Sequence, residues 1–451
     1  MSKESPSRPV FRSRNKALGV WELIAIALGG MVGGGIFTVL GISVAMVGVW
    51  TPVAIALGGG VAALAAWSYV KLGVYYQDEG ATYSFFKRTF QQSHLAASVI
   101  GWWITFGYIS TLALYSYTFA SYAISSFSFA ENVWIRRLVA GGILSIFALI
   151  NVWSVKGMGK IEDLMVYTKL MILAVISFVL MDNAQVSLPQ LMETGPQPTV
   201  FGILVVASVT FVAYEGFQLV INAVREMESP EKNIPRAIYS AILLAILIYV
   251  IIALGAILAI PLQDIIKNQE FALASGAEAI LGPWGSRVVI LGALLATMSA
   301  ISGTLFGASR QLAVIAEDGY FPAALAQRSA RIPVRAILLM TSAAFGLVLI
   351  GNLRMIVEFG SITFLVVSLL MAIANFRIRR KTGSSTIIAI LAISSLTIGA
   401  ILIFYNEAST EPMQMLFIAA LYVVLTLGSW AYSLRNKHRL ARAQEADEHL
   451  P

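Results

Sequence analysis

Long apolar runs dominate this chain and limit what it can fold into more than any other feature. Runs of about 20 apolar residues, bounded by charges, Pro or Gly, are long enough to cross a bilayer as helices. Twelve such runs predict an all-α polytopic membrane protein with twelve transmembrane helices. They lie near residues 18–48, 51–73, 95–123, 138–155, 162–182, 200–224, 237–260, 286–316, 333–351, 354–378, 385–405 and 412–434.

Composition excludes several classes of protein. Only 12% of the 451 residues are charged, against about 25% in soluble domains. The chain has no cysteine, which excludes disulfides, thiolate metal sites and a disulfide-linked partner subunit. Its three histidines (His94, His438 and His449) fall in predicted loops or the tail, which excludes an intramembrane histidine metal cluster. We therefore expect neither a metal nor a cofactor.

The predicted spans also lack the marks of other membrane functions. They hold no paired aspartates and no serine–histidine set, so an intramembrane enzyme is not expected. No phosphate-binding loop is present for ATP-driven pumping, and no charge rings or repeated filter sequence indicate a channel. A transport-inactive sensor on the same fold stays open, although no signalling domain is attached. The pI near 9.5 reflects charges in the loops, which favours membrane orientation over nucleic-acid binding.

Positive charges are distributed unevenly across the predicted bilayer. Loops on the side of the N-terminus hold 25 Lys and Arg, the opposite side holds five, and Lys169 falls within a span. By the positive-inside rule both termini are cytoplasmic. The first 17 residues resemble a cytoplasmic tail before a retained helix, because no small-residue cleavage site follows. We expect a multi-pass protein of the plasma membrane.

The first span is interrupted by Gly29-Gly30-Met31-Val32-Gly33-Gly34-Gly35. Glycines four apart can simply let another helix pack closely. Three consecutive glycines exceed what close packing needs, however, and favour local unwinding. Unwinding exposes backbone N–H groups at the start of the next half-helix, which suit a carboxylate. The freed carbonyls upstream suit an ammonium group, so the pair predicts a receptor for an amino acid.

The sixth span is interrupted at Tyr214-Glu215-Gly216-Phe217. Five spans separate it from the first interrupted span, so a second copy would run through the membrane inverted. The pattern predicts a five-plus-five inverted repeat with discontinuous helices one and six. The predicted domains are an N-terminal cytoplasmic tail (1–17), the first repeat (18–182), the second repeat (200–378), spans eleven and twelve (385–434), and a C-terminal cytoplasmic tail (435–451).

Four stretches together resemble the amino acid–polyamine–organocation transporter superfamily. They are Gly33-Gly34-Gly35-Ile36-Phe37, Tyr214-Glu215-Gly216-Phe217, Glu226…Pro230…Pro235-Arg236, and Ser309-Arg310-Gln311…Asp318-Gly319-Tyr320-Phe321-Pro322. The resemblance implies the inverted-repeat fold, with a small-molecule substrate held between the two broken helices.

The resemblance also implies roles for individual positions. The N–H groups of Gly34 and Gly35, after Gly33, would hold the substrate carboxylate. The backbone carbonyls of Met31, Val212 and Glu215 would receive its amine. Tyr108 in span three is a further candidate for lining the site.

Two positions depart from the family pattern. Gly33-Gly34-Gly35 replaces the family's usual Gly-Ser-Gly, which removes a hydroxyl near the carboxylate. Val212 stands where a gating aromatic is common, so Phe211 or Phe217 would have to close the pocket.

Glu215 allows several interpretations. Its carboxyl could hydrogen-bond a neighbouring helix while protonated. It could instead pair with a cationic substrate or a second amine, or exchange a proton during transport. The sequence does not choose among these.

Lys169 in span five needs a reason, because a lysine at the centre of a membrane helix costs about 2.5–3.5 kcal/mol. It lies six residues after Asp163, so its long side chain could extend to the cytoplasmic interface. Alternatively its ammonium replaces the sodium ion that relatives of this fold hold between spans one, five and eight. Hydroxyls for that position are Ser299, Ser302 and Thr304.

These features predict a secondary active amino acid transporter that works by alternating access. The lysine-for-sodium interpretation makes it sodium-independent, with Lys169 carrying a proton in each cycle. The alternative is an exchanger of amino acids or polyamines, suggested by Glu215.

Overall fold

The computed structural model describes residues 18–78, 80–91, 93–153, 158–194, 198–224, 226–329 and 332–448. Those residues form helices, with two isolated β-bridges and no β-strand. The predicted N-terminal tail, residues 1–17, lies outside the described residues. The predicted C-terminal tail begins as a helix that continues from the last apolar run to Glu448.

The α-helices number eighteen within the described ranges. In chain order they are α1 (Val20–Met31), α2 (Gly34–Val47), α3 (Thr51–Tyr76), α4 (Ala81–Thr89), α5 (His94–Ile124), α6 (Val133–Trp153), α7 (Met158–Asp182), α8 (Leu188–Thr194), α9 (Val200–Val209), α10 (Leu219–Asn222), α11 (Pro230–Ala259), α12 (Leu262–Lys267), α13 (Ala272–Glu317), α14 (Val334–Ile350), α15 (Leu353–Arg377), α16 (Arg379–Thr382), α17 (Thr386–Thr410) and α18 (Pro412–Glu448).

Ten helical segments in the described residues are long and apolar enough to cross a membrane, and α1 and α14 are shorter apolar helices. The predicted class, an all-helical polytopic membrane protein, is therefore confirmed. The count of ten differs from the twelve predicted spans for local reasons. The first predicted span is divided into α1 and α2, and α2 then continues through a tight turn into α3, so that residues 34–76 form one segment.

Helix α13 is bent near its start rather than continuous. Gly282 has φ +68° and ψ −166°, and Pro283 follows it. Proline lacks the N–H that would continue the helical hydrogen-bond pattern, so the break separates a short leading helix from the membrane-length segment that ends at Glu317.

Two pairs of long helices form the centre of the bundle: α3 packs along α11, and α5 packs along α13. Small residues permit the close approach. A Cβ on Gly59 of α3 would lie 2.3 Å from Ile246 of α11. A Cβ on Gly101 of α5 would likewise lie 2.9 Å from the Ile315 side chain of α13. Helix α1 packs against α11 and α13, and the interrupted segment that follows α9 packs against α3.

The start of α1 is paired with the chain that follows α10. Leu18 N donates to Glu226 O at 2.8 Å, and Glu228 N donates to Leu18 O at 3.0 Å. These two backbone bonds form a parallel bridge between Leu18 and Met227. The two interrupted helices are therefore joined at the same end of the bundle.

Helix α4 lies between the second and third predicted spans and docks on the turn after α13. The Tyr83 hydroxyl donates to Asp318 Oδ2 at 2.8 Å, and Lys87 Nζ lies 2.9 Å from the same oxygen. Burial, together with the Asp318 carboxylate, raises the pKa of Tyr83, so its hydroxyl remains a donor. The motif residue Asp318 thus holds α4 in place.

Replacing Asp318 by alanine should lower the melting temperature more than replacing Lys87 by alanine. The first change leaves the buried Tyr83 hydroxyl without its acceptor, which costs about 1–3 kcal/mol. The second removes an ion pair of which both side chains are partly exposed, worth about 1 kcal/mol or less. Thermal unfolding of the detergent-solubilised variants checks the order. Equal losses would contradict it.

Candidate functional site

The first span is interrupted between α1 and α2, at Val32 and Gly33. Val32 has ψ 64° and Gly33 has φ −105° and ψ −140°, so neither is helical. The interruption is short: Gly29 and Gly30 still belong to α1, and Gly34 already begins α2. Because the first four N–H groups of a helix have no partner within it, α2 directs unpaired donors into this gap.

Three successive carbonyls at the end of α1 accept side-chain hydrogen bonds from three different helices. Lys169 Nζ on α7 donates to Gly29 O at 3.0 Å. The Tyr115 hydroxyl on α5 donates to Gly30 O at 3.0 Å, and the Tyr249 hydroxyl on α11 donates to Met31 O at 2.7 Å. These donors bond to carbonyls at a helix end, where partners within the helix are lacking. Met31 O also accepts from Gly33 N at 2.9 Å.

Each of the three consecutive glycines is closely approached by a different neighbour. A Cβ on Gly33 would lie 2.6 Å from the Ala300 Cβ, and one on Gly35 would lie 2.9 Å from the Ala213 Cα. A Cβ on Gly34 would lie 3.0 Å from Thr118 Oγ1. The expectation that three glycines exceed what close packing needs is therefore wrong, since packing uses all three.

The structure explains why glycine, and not the serine of the family pattern, stands at position 34. Thr118 Oγ1 is hydrogen-bonded to Thr38 Oγ1 at 2.6 Å and donates to Leu114 O at 2.8 Å. A Cβ at Gly34 would lie 3.0 Å from Thr118 Oγ1 and 3.1 Å from the Thr118 Cβ, so a serine side chain here would crowd this hydroxyl pair. Glycine here leaves the pair undisturbed.

The sixth span is interrupted over a longer stretch. Helix α9 ends at Val209, a 3-10 turn covers Thr210–Tyr214, and Glu215 is extended with φ −69° and ψ 137°. The Ser361 hydroxyl of α15 donates to Val209 O at 2.7 Å. Glu215 N donates to Val212 O at 3.2 Å, so one of the carbonyls predicted to receive an amine already accepts a bond.

The two interruptions touch through glycines. Gly216 has φ +126°, a conformation that side chains rarely allow, and its Cβ would lie 2.6 Å from the carbonyl carbon of Gly30. The Tyr249 hydroxyl lies between the two segments, 2.7 Å from Met31 O and 3.0 Å from Ala213 O. Tyr249 is fully buried and was not predicted, because a tyrosine within an apolar run is usually a packing residue.

Glu215 is buried beside the contact, with 3% of its surface exposed. Gln218 Nε2 donates to Glu215 Oε1, and Gln218 Oε1 accepts from Gly216 N at 3.1 Å. Gln218 Nε2 also lies 3.4 Å from the Tyr108 hydroxyl. Glu215 Oε2 has no hydrogen-bond partner among the described residues. Gln218 is a second residue that the sequence did not reveal, since its amide lies among apolar neighbours without a motif.

Lys169 is fully buried rather than extended to the membrane surface. Its ammonium donates to Ser299 Oγ of α13 at 2.8 Å as well as to Gly29 O. Ser302 and Thr304 lie further along α13 and are also buried. The ammonium therefore joins α1, α7 and α13.

The remaining candidate side chains are buried around the second interruption. The Phe217 ring packs edge-on against Tyr69 of α3, with centroids 5.3 Å apart. Tyr108 packs against Phe364 of α15 at 5.8 Å. Val212 and Phe211 are fully enclosed. Phe217 is thus held by α3, whereas Tyr108 contacts Gln218 directly.

Comparison with known proteins identifies the family. The family model described as amino acid permease matches residues 18–429. The chain belongs to the amino acid permease family. The permease is therefore a multi-pass membrane transporter, not an enzyme, and carries a small-molecule substrate.

Three relatives cover most of the permease. The inner membrane transport protein YbaT of Escherichia coli is 29% identical over 410 residues, 88% of this chain and 92% of its own. The human Asc-type amino acid transporter 1 is 26% identical over 361 residues, 77% of this chain and 68% of its own. The chloroplastic cationic amino acid transporter 7 of Arabidopsis thaliana is 23% identical over 329 residues, 68% of this chain and 55% of its own.

Proposed function

We propose that the permease is a secondary active amino acid transporter that works by alternating access around the two helix interruptions. The observation that carries the proposal is the contact between them, where Gly216 approaches Gly30 closely enough to exclude any side chain. Non-helical backbone within a membrane protein is tolerated where it lines a site. The amino acid transporters among the relatives support the substrate class.

Backbone groups would bind the two ends of the substrate. The N–H groups of Gly34 and Gly35 begin α2, where the helix dipole favours a carboxylate. The carbonyls of Met31, Val212 and Glu215 would bind the amine. Val212 O already accepts one bond, from Glu215 N, and a carbonyl oxygen has two lone pairs, so it can accept another. Met31 O already accepts two, from the Tyr249 hydroxyl and from Gly33 N, so it would have to release one of them to bind the amine.

The proposed topology has twelve spans, with five-plus-five inverted repeats at 18–182 and 200–378 and two further spans at 385–434. The pairing of α3 with α11 and of α5 with α13 supports it, because these are the second and third helices of each repeat. The excess of Lys and Arg on one side supports cytoplasmic termini in the plasma membrane.

For coupling, we propose that the Lys169 ammonium takes the place of a sodium ion and carries a proton during the cycle. Its bonds to Gly29 O and Ser299 Oγ support this, since both belong to the helices expected to surround such an ion. Ser302 and Thr304 on α13 would complete the surroundings. The second candidate function is exchange of amino acids or polyamines, which the same geometry favours if the ammonium is a fixed structural charge.

Uptake of labelled amino acids into proteoliposomes tests the proposal. Each amino acid is offered with a proton gradient, with a sodium gradient, and with internal unlabelled substrate alone. We expect the proton gradient to accelerate uptake and sodium to have no effect. Uptake that requires internal substrate would assign exchange. Stimulation by sodium would refute the role of Lys169, and no uptake of any amino acid would refute the substrate class.

A further inference from the structure

One oxygen of the Glu215 carboxyl is enclosed without a partner. Oε2 has no hydrogen bond among the described residues, although only 3% of the residue's surface is exposed. Buried polar atoms in folded proteins nearly always have partners, because an unmade bond costs about 1–3 kcal/mol. An unpaired carboxyl oxygen at the contact of two interrupted helices is therefore available to bind a ligand group.

The surroundings of the carboxyl are neutral. Its Oε1 accepts from the amide of Gln218, and the phenol groups of Tyr69, Tyr108 and Tyr115 lie within electrostatic range. No salt bridge to Glu215 forms among the residues that the structure describes. No described residue near the carboxyl therefore compensates a negative charge.

Two other buried glutamates show how the chain neutralises such a group elsewhere. Glu358 of α15 and Glu407 of α17 both accept from Arg354, at 2.7 and 3.2 Å. Gln414 donates to the second oxygen of Glu358 at 2.5 Å. Glu215 has the amide partner but lacks the guanidinium, so a cationic group from outside would complete the same arrangement.

We propose that Glu215 Oε2 binds the cationic end of a substrate side chain, so that the permease selects amino acids whose side chains end in an ammonium or guanidinium. This rests on the proposed function, in which backbone carbonyls bind the α-amine and leave the carboxyl for a second positive group. A buried carboxylate and a cation stabilise each other strongly only when both are desolvated and hydrogen-bonded, as they would be here.

Gln218 is a positioning residue in this subsite. It accepts from Gly216 N through Oε1 and donates to Glu215 through Nε2. Since both ends of its amide are bonded, it fixes the carboxyl relative to the interrupted backbone. Its second contact, with the Tyr108 hydroxyl at 3.4 Å, connects the subsite to α5.

Two pairs of matched substrates test the proposal in proteoliposomes. Lysine is compared with norleucine, which lacks only the ε-ammonium, and arginine with citrulline, its neutral analogue. We expect wild-type kcat/KM to favour each cationic member about tenfold or more, the contribution of one charge-assisted hydrogen bond. In Glu215→Gln both ratios should fall to about one, while norleucine uptake persists. Glu358→Gln, which removes a buried carboxyl already paired with Arg354, should keep the wild-type ratios.

Wild-type ratios near one, or ratios that survive Glu215→Gln, would overturn the subsite and leave the amino acid transporter proposal standing. Failure of every amino acid to enter would overturn both. If Glu215→Gln cannot be purified, wild-type ratios near one still overturn the subsite. The shift of melting temperature with lysine against norleucine gives a second measurement that needs no gradient.

Discussion

Replacing Gly216 by alanine is expected to abolish transport and to lower the melting temperature by several degrees or more. The residue has φ +126°, and its Cβ would lie 2.6 and 2.7 Å from the backbone carbon of Gly30 and nitrogen of Met31. A left-handed conformation costs a side chain about 1–2 kcal/mol, and overpacking adds about 1–3 kcal/mol. Backbone atoms cannot rotate away, so the two interruptions would have to separate. Uptake and thermal unfolding measure the two effects.

Gly60→Ala is the matched control for this change. Gly60 lies in the middle of α3, and a Cβ there meets nothing within 4 Å. Since alanine favours a helix over glycine by about 1 kcal/mol, transport should be unchanged and stability equal or slightly higher. A Gly216→Ala protein with normal uptake would show that the contact is not needed for transport.

Replacing Lys169 by glutamine is expected to remove the response of uptake to an imposed proton gradient. Glutamine can still donate to Gly29 O or Ser299 Oγ, which the ammonium reaches at 3.0 and 2.8 Å. However, the glutamine amide cannot gain or lose a proton, so it cannot carry one across the membrane. It also avoids the cost of an ionised group inside the membrane. Uptake with and without a pH difference across the proteoliposome membrane measures the loss. Exchange against internal substrate should be retained.

Lys71→Gln provides the control, because Lys71 lies on α3 and donates to Gly383 O. It has no bond to either interruption, so its removal should leave gradient-driven uptake unchanged. If the Lys169→Gln variant keeps its full response to the gradient, the proton is carried elsewhere and the exchange function gains support.

Much of the fold could be predicted from apolar runs alone, because lipid requires each run to satisfy its own backbone as a helix. The points at which these runs divide into separate helices were harder to predict. The turn between α2 and α3 depends on Gly48, which has φ +52°. In the sequence, nothing distinguishes Gly48 from the other glycines. Similarly, only the backbone reveals that Gly282 and Pro283 bend α13.

The residues of the candidate site could be predicted where their type is unusual for a membrane helix. Lys169 and Glu215 are charged residues within apolar runs, and the glycine cluster weakens a helix, so each is visible in the sequence. Gln218 and Tyr249 are different. Their importance comes from which carbonyl or carboxyl they reach, at distances of 2.7–3.0 Å for the two Tyr249 bonds, and such contacts depend on three-dimensional packing.

The three hydrogen bonds at the end of α1 have a consequence for the kinetics of opening. Gly29, Gly30 and Met31 are anchored to α7, α5 and α11 respectively, so α1 cannot tilt without releasing all three donors. Releasing one bond gives α1 little freedom to move while the other two persist. Each released bond also costs free energy, because it leaves a buried carbonyl without its donor. Opening at this end should therefore be cooperative, a switch between two discrete states with partly tilted positions sparsely populated.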